Sequence, residues 1–270
     1  MQRSTVASLL RSTQAYCGQL CEKYTFDHGI AYHCNRYPAI GEINLLREVI
    51  LPPRGTLNDA FGQTERWFAE RGLFCHRWAP ADGDLPPQWE EFLLARNFRR
   101  RVYAAMIAVR WPEPYRNPDI RVLPARALRA AFRDTFLNDE FPNAPLARRL
   151  LAETYEERLN DPQFESFVAL VRNVPAGRAA LFQVGDFARV MDINVLPAFR
   201  DQEVERALLS QVLVLAKRLA MRNVCAQVQA DDPRRHGWLE AAGFIDDGSI
   251  TEFERDPPAS NNPTGGSPSS

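Results

Sequence analysis

Residues 195–209 read VLPAFRDQEVERALL, and the order of elements that they predict indicates the fold class. A strand-like start leads into a Leu-Pro turn and Arg200, and an amphipathic helix follows, which is the layout of many phosphate-binding loops. In such loops the backbone N–H groups at the helix N-terminus bind an anion, assisted by the positive end of the helix dipole. Glu203 and Glu205 stand where these loops use glycine. The sequence therefore raises the question of whether this loop still binds an anion.

The helix after the loop is predicted to be intact, but the role of its two glutamates is open. Acidic residues in a first helical turn add about 0.3–1 kcal/mol of stability, so Glu203 and Glu205 can act as helix-stabilising groups alone. A carboxylate about 5 Å from a phosphate would repel it by roughly 3 kcal/mol at an effective dielectric near 20, and by less through water. The predicted core-facing stripe consists of Val204, Leu208, Val212, Leu215 and Leu219.

The bulk composition narrows the classes of partner. The 270 residues include 33 basic and 34 acidic side chains, so the formal net charge is −1. No overall field recruits nucleic acid or an anionic membrane surface. No apolar run reaches the roughly 18–20 residues that a membrane span needs, and the first twenty residues lack the apolar core of a signal peptide. We expect a cytoplasmic protein without nucleic-acid or membrane partners.

The five cysteines do not form a disulfide framework, because their number is odd and they are scattered along the chain. A zinc site can be drawn from the cysteines and histidines of residues 17–34, but the spacing lacks a CxxC knuckle. Cys75 and Cys225 could form a covalent acyl-cysteine, yet both lie in strand-like patterns where a buried thiol packs as a small apolar group. We therefore predict no metal and favour core packing for these two thiols.

Two proline-rich segments divide the chain. Residues 111–119, WPEPYRNPD, contain three prolines and are predicted to be a stiff connector. Residues 256–270 have almost no apolar side chains and are predicted to be disordered. These segments define a unit at 1–111, a connector at 112–119, a second unit at 120–255 and a tail.

The two units repeat the same order of elements. Each reads strand, Leu-Pro turn, helix, strand, helix, aromatic residue and strand, which predicts an α/β fold with a layered sheet. The first unit looks incomplete, because fewer strands precede its Leu-Pro turn than precede the second one. The paired landmarks are Pro52 and Pro197, Cys75 and Cys225, and Phe98 and Phe244.

The order of elements over residues 118–255, with VLPAFR before one helix and AAGF at the end of the next, resembles the GNAT superfamily of acyl-CoA N-acyltransferases. A degenerate version of the same order extends over about residues 30–110. The resemblance implies two GNAT-like mixed β-sheet units with flanking helices, the N-terminal copy incomplete and the C-terminal copy complete. It also implies acetyl-CoA as the co-substrate.

The resemblance implies a pyrophosphate-binding loop of the pattern Arg/Gln-x-x-Gly-x-Gly/Ala. Arg200 matches the Arg/Gln position, whereas Glu203 and Glu205 replace the two glycines. Strand residues before the loop and Asp232, at the Asn position of the last helix, complete the implied CoA contacts. The implied CoA-binding residues are Ile193, Val195, Arg200, Asp201, Gln202, Glu203, Val204, Glu205 and Asp232.

Two residues are candidates for catalysis. Asp192, on the implied fourth strand, could accept the amine proton through water, or strand alternation could turn it to solvent without a role. The family's tyrosine general acid is replaced by Leu239, which cannot donate a proton. His236, one turn before Glu240, could substitute for that tyrosine or be surface decoration.

The sequence thus leaves three functions open. The first is transfer of an acyl group from acetyl-CoA to an unknown amine on a small molecule or peptide. The second is a non-catalytic binding or assembly module whose glutamates close the old anion site. The third is a small-molecule site in the cleft between the unequal halves. The duplication favours a monomer, since it supplies a sheet neighbour within one chain.

Overall fold

The computed structural model describes residues 4–140, 145–200 and 202–256. Asp201 and the tail beyond residue 256, for which we predicted a role and disorder respectively, lie outside the described residues. The helices are α1 Thr5–Leu20, α2 Leu57–Ala69, α3 Pro87–Leu94, α4 Arg129–Leu137, α5 Pro145–Arg158, α6 Val204–Arg218 and α7 Pro233–Ala241. The strands are β1 Glu22–Phe26, β2 Gly29–His33, β3 Leu45–Val49, β4 Arg77–Pro80, β5 Arg99–Ala108, β6 Ile120–Pro124, β7 Phe164–Val171, β8 Val174–Val184, β9 Phe187–Val195, β10 Asn223–Gln229 and β11 Phe244–Glu254.

All the strands join one mixed sheet in the order β1-β2-β3-β4-β11-β5-β10-β9-β8-β7-β6. The pairs β3–β4 and β9–β10 are parallel, and the other neighbours are antiparallel. The last strand of each half crosses to the other side: β5 pairs with β10, and β11 pairs with β4. The predicted α/β class with a mixed sheet and flanking helices is present, as a single continuous sheet.

Helices cover both faces of the sheet. On one face, α6 and α7 bury an apolar core against β7–β10, and α2 and α3 bury a second, aromatic core against β3 and β4. On the opposite face, α4 and α5 pack over β7 and β8, while α1 lies across the central strands. Alternating side chains of the same strands, such as Ala179 and Ala180 of β8, therefore enter different cores.

Two irregular positions interrupt equivalent strands. Glu48 in β3 has φ 54° and Asp192 in β9 has φ 49°, and each lies where the strand register shifts. A non-glycine residue in this left-handed region costs of order 1–3 kcal/mol and persists where the surrounding structure holds it. Each irregular strand is followed by a turn and then a long helix, α2 or α6.

Three expectations about local structure are wrong in part. The sequence predicts a first helix over roughly residues 5–24, but residues 22–24 begin β1 instead. Leu219, predicted in the buried stripe, follows the last residue of α6 and is 39% exposed, because Ala220 adopts a left-handed conformation that ends the helix. Cys75 lies just before β4 instead of within it, although it is buried as expected.

Within the described part of the chain, every helix is too short or too polar to cross a lipid bilayer.

Candidate active site

The loop at the N-terminus of α6 contains no glycine. β9 ends at Val195, a single 3₁₀ turn spans Pro197–Phe199, and α6 begins at Val204. Glu203 precedes the helix with φ 55° and ψ 24°, a left-handed conformation that glycine adopts at no cost. Its side chain makes no capping hydrogen bond to the helix. The side chain of Glu203 therefore does not cap α6.

The carboxylate of Glu203 is held away from those N–H groups. It accepts a hydrogen bond of 2.7 Å from the Tyr115 hydroxyl and one of 3.1 Å from Arg206 Nη1. Tyr115 is itself fixed, since its backbone N–H donates to Ser210 Oγ at 2.8 Å. The hydrogen bond from Tyr115 and then that from Arg206 lower the pKa of Glu203, so the carboxylate is charged at neutral pH. The connector thus binds the acidic group that would otherwise face an anion.

The other predicted loop residues differ in their contacts and exposure. Arg200 pairs with Glu140 at 2.7 Å, while its Nε is buried and has no hydrogen-bond partner in the described ranges. Gln202 is exposed, and its backbone N–H is used by the Phe199 carbonyl at 3.1 Å. Glu205 is half-buried in the first turn of α6. Arg200 is thus the predicted side chain best placed to support an anion at this loop.

The strands β9 and β10 separate next to the loop. Their parallel ladder runs from the pair Phe187–Asn223 to the pair Val190–Ala226, and the later residues of the two strands do not pair with each other. The opening lies between residues 191–195 of β9 and 227–229 of β10. Arg189 donates to Gln227 Oε1 at 3.0 Å and so fixes one side chain at its edge. The main-chain groups of the two strands at this point therefore do not pair with each other.

Two predicted CoA contacts on β9 differ in accessibility. Ile193 is half-buried against the core beneath α6, whereas the side chain of Val195 is fully buried there. Val195 can therefore offer only its main chain to a ligand. Gly177 on the neighbouring strand explains the tight packing at this point, because a Cβ there would lie 2.6 Å from the Asn194 carbonyl oxygen.

Asp192 is neither a free base nor a solvent-facing side chain. Its Oδ2 accepts from Arg178 Nε at 2.7 Å, and Arg178 also donates to the Thr135 carbonyl at 2.7 Å and to Asp139 at 3.0 Å. Asn194 donates to the same Asp139 carboxylate. Burial raises the pKa of Asp192, and the Arg178 guanidinium opposes that shift. The bulge in β9 directs this carboxylate into an ion-pair network beneath α4.

His236 lies on the other face of the sheet from Asp192. Its Nε2 is 3.1 Å from Asp246 Oδ1, and its Nδ1 is 3.6 Å from Glu240. Asp232 caps α7 by accepting from the Arg235 backbone N–H at 3.0 Å. Leu239 is buried in the core beneath α6 and α7. The two catalytic candidates are not brought together.

The buried cysteines have the properties of packing residues. Burial raises the pKa of Cys225 to about 11, and it raises the pKa of Cys75 further. Both thiols are therefore protonated at neutral pH and are poor nucleophiles. Across residues 4–140, 145–200 and 202–256, no group of three or more His, Cys, Asp or Glu side chains is arranged to hold a metal ion.

Sequence reasoning missed two residues that shape this site. Arg178 stands in the apolar strand segment GRAALF, and a lone charge in such a segment signals a buried partner. Tyr115 stands in the proline-rich connector, where nothing in the sequence distinguishes it from a spacer residue. The first could have been found from its pattern, and the second only from the structure.

Comparisons with known proteins agree with this architecture. Residues 126–244 match the family model described as the acetyltransferase (GNAT) family. A GCN5-related N-acetyltransferase from Kribbella flavida is 10% identical with a TM-score of 0.65, over 95% of this chain and 97% of that one. A second from Sphaerobacter thermophilus is 15% identical with a TM-score of 0.58, over 93% and 91% of the two chains.

A protein of unknown function from Staphylococcus epidermidis has a TM-score of 0.70 at 14% identity, over 87% of this chain and 94% of that one. At these identities the likeness concerns the fold alone. The curated proteins compared with the sequence include no match.

Proposed function

Because residues 126–244 form a domain of the GNAT acetyltransferase family, we propose that the protein transfers an acyl group from acetyl-CoA to an amine. The observation that carries this proposal is the N-terminus of α6, where the N-cap residue Glu203 makes no side-chain cap and its carboxylate instead accepts from Tyr115. An uncapped helix N-terminus is a site for phosphate oxygens. The acceptor is an amine on a small molecule or peptide.

The backbone of the loop supports retained binding of the pyrophosphate. Glu203 adopts the left-handed conformation that the family's glycine would adopt, although a glutamate pays a conformational cost there. The first-turn N–H groups of Val204, Glu205 and Arg206 lie at the positive end of the helix dipole. Arg200, with its unpartnered Nε, supplies a positive charge beside them. The pantetheine arm would then enter the opening between β9 and β10.

For the chemical step we propose Asp192 as the group that accepts the amine proton through water. Its raised pKa makes it a better proton acceptor than an exposed aspartate, and the pair with Arg178 keeps it ionised before the reaction. His236 faces Asp246 on the opposite face of the sheet. Protonation of the departing thiolate is therefore assigned to solvent.

The test measures acetyl-CoA binding by the thermal unfolding midpoint of the full chain, with ATP as a phosphate-bearing control. A ligand at about a hundred times its dissociation constant adds roughly 2.7 kcal/mol, a shift of several degrees for a chain of this size. The proposal requires a shift with acetyl-CoA that exceeds the shift with ATP. Equal shifts, or none, would contradict it.

One alternative function rests on its own observation. Leu239 stands in place of the family's tyrosine general acid and is buried in the core. This favours a non-catalytic module that keeps the fold. That protein would bind acetyl-CoA weakly or not at all and release no CoA with any amine. Little or no thermal shift with acetyl-CoA, combined with no CoA release across a panel of polyamines, amino sugars and peptides, would favour this alternative.

We also propose that the two halves are copies of one unit. The strand order is mirrored about the β11–β5 pair, and both halves have a parallel strand pair beside the other half's last strand. The strained residues Glu48 and Asp192 occupy equivalent strands. This arrangement supports a monomer whose N-terminal half, about residues 1–111, completes the sheet of the C-terminal half, and the cytoplasmic location stays a prediction. Measurement of the mass in solution by light scattering tests the monomer.

A further inference from the structure

A cavity of about 350 Å³ lies in the N-terminal half, beneath the first turns of α1. It sits where β3 and β4 end, on the face of the sheet that α1 covers. The site proposed for acetyl-CoA lies by contrast at the N-terminus of α6 and the ends of β9 and β10. The cavity lining consists of Ser4, Val6, Ala7, Leu10, Arg11, Gln14, Arg47, Glu48, Pro80, Ala81 and Asp82.

The buried guanidinium of Arg47 is the feature of this cavity that indicates a ligand. Its side chain is 3% exposed, and its Nη1 is buried without a hydrogen-bond partner among the described residues. Its Nη1 lies 3.9 Å from Glu252 Oε1, which is beyond hydrogen-bond distance, and the other oxygen of Glu252, Oε2, pairs with Arg77 at 3.0 Å. A buried guanidinium normally has its donors satisfied, because an unpaired buried charge is costly. A carboxylate in the cavity would supply the missing acceptor oxygens in bidentate geometry.

The remaining charges restrict the chemical class. Arg11 and Arg47 are balanced by Glu48 and Asp82, so the lining has no net charge. A dianion such as phosphate would meet both carboxylates, whereas a zwitterion matches charges of both signs. Glu48 accepts from Gln14 across the cavity wall and remains half-exposed. An ammonium group beside Glu48 or Asp82 would be paired in the same way that a carboxylate is paired by Arg47.

The apolar part of the lining restricts the ligand further. Val6, Leu10, Pro80 and Ala81 form one side of the cavity and have no polar side-chain atoms. The volume is at the lower end of the range for small-molecule sites, roughly 300–1,000 Å³. We propose that this cavity binds a free aliphatic amino acid, with its carboxylate on Arg47 and its ammonium group towards Glu48 and Asp82. The site is independent of the acyl-transfer site.

The test uses the full chain and three probes with aliphatic side chains: L-leucine, L-valine and L-alanine. At about ten times the dissociation constant we expect the thermal midpoint to rise by roughly 2–4 °C with at least one of them. 4-Methylpentanoate, which lacks the ammonium group, and isopentylamine, which lacks the carboxylate, should shift it less. No shift with any of the three amino acids, or equal shifts with the two analogues, would overturn the proposal.

Two variants place the binding in this cavity. Ala7→Phe fills it from an exposed position of α1 and keeps Arg47, and Ala69→Phe makes the same change on an exposed position of α2 as a control. We expect Ala7→Phe to lose the amino-acid shift and Ala69→Phe to keep it. A shift that survives in Ala7→Phe would mean that the amino acid binds elsewhere and would refute the site. The acetyl-CoA shift should be unchanged in both variants, so failure of either proposal can be recognised separately.

Discussion

The N-termini of α2 and α6 occupy equivalent places in the two halves, but they differ in side-chain capping. At α2, Thr56 Oγ accepts from the Asp59 backbone N–H at 3.2 Å, while Asp59 accepts from the Thr56 N–H at 2.9 Å. This capping box satisfies the helix end with the protein's own groups. At α6, Glu203 makes no cap and turns to Tyr115. The N-cap residue closes one helix end with a capping box, and the N-cap residue of the other forms no side-chain cap.

The difference teaches that counting acidic residues does not decide whether an anion site survives. Asp59 and Glu203 both carry a carboxylate at the start of a helix, and hydrogen bonds lower the pKa of both. The Asp59 carboxylate accepts hydrogen bonds at the N-terminus of its own helix, whereas the Glu203 carboxylate accepts one from Tyr115 of the connector. The direction of the side chain, fixed by Tyr115, distinguishes the two ends.

The largest expected effect tests the bulges that precede these helices. Arg178→Met would leave Asp192 and Asp139 without their cation, and breaking a buried pair in this way costs about 3–5 kcal/mol. Glu48→Gln at the equivalent bulge of β3 should cost under about 1 kcal/mol, because Glu48 is half-exposed and its partner is a neutral amide. Urea unfolding measures both. Similar losses of unfolding free energy in the two variants would show that the two bulges depend on their side chains to the same extent.

The next effect tests the N-terminus of α6 directly. Proline is tolerated in a first helical turn but removes one N–H, so Glu205→Pro should weaken acetyl-CoA binding by about tenfold. Asn58→Pro is the matched change at the second residue of α2 and should leave that affinity unaltered. Titration calorimetry with acetyl-CoA measures both variants. Equal weakening in the two would remove the distinction between the helix ends.

A smaller effect measures the value of each cap. Thr56→Ala removes the capping box of α2 and should lower the free energy of unfolding by about 1 kcal/mol. Glu203→Gln should leave it within about 0.5 kcal/mol of the wild type, since Glu203 does not cap α6. Denaturant unfolding of both variants provides the comparison. A loss at Glu203 as large as that at Thr56 would show that Glu203 acts as a cap after all.

The smallest effect concerns the charge of Glu203 near the proposed phosphate. Glu203→Gln removes a negative charge that water screens from the loop, so acetyl-CoA should bind no more than about fivefold more tightly. Tyr115→Phe frees the carboxylate from the connector and should weaken binding instead. Affinities measured at low and high salt separate the two, because screening reduces a charge effect. A change of affinity in the same direction in both variants would contradict the role of Tyr115.

Much of the fold could be predicted because its signals are local. The Leu-Pro turns, the stripe beginning at Val204, and the helix that ends before Gly243 and Phe244 all correspond to structural elements. The exchange of β5 and β11 could not be predicted, since strand neighbours depend on pairing between distant residues. The boundary of α6 was misplaced at Leu219 because Ala220, without a glycine, adopts the left-handed conformation that ends the helix.

The candidate site was predicted less well than the fold. The position of the loop was correct, but the direction of Glu203 depends on Tyr115, which is 88 residues away in the chain. One alternative for Asp192 was a solvent-facing side chain, whereas the bulge at its own position turns it to Arg178. Its catalytic role stays a prediction. A strict two-residue alternation cannot anticipate a residue with positive φ. Site chemistry here depends on irregular backbone, which pattern reasoning does not describe.

The exchange of last strands also has a consequence for synthesis of the protein on the ribosome. β4 is complete after Pro80, but its partner β11 begins only at Phe244. At about 5–20 residues per second, the edge of β4 waits roughly ten to thirty seconds for its neighbour. An unpaired strand edge is a template for association with other chains. The nascent N-terminal half therefore depends on its own helices, or on chaperones, to shield that edge until β11 has been synthesised.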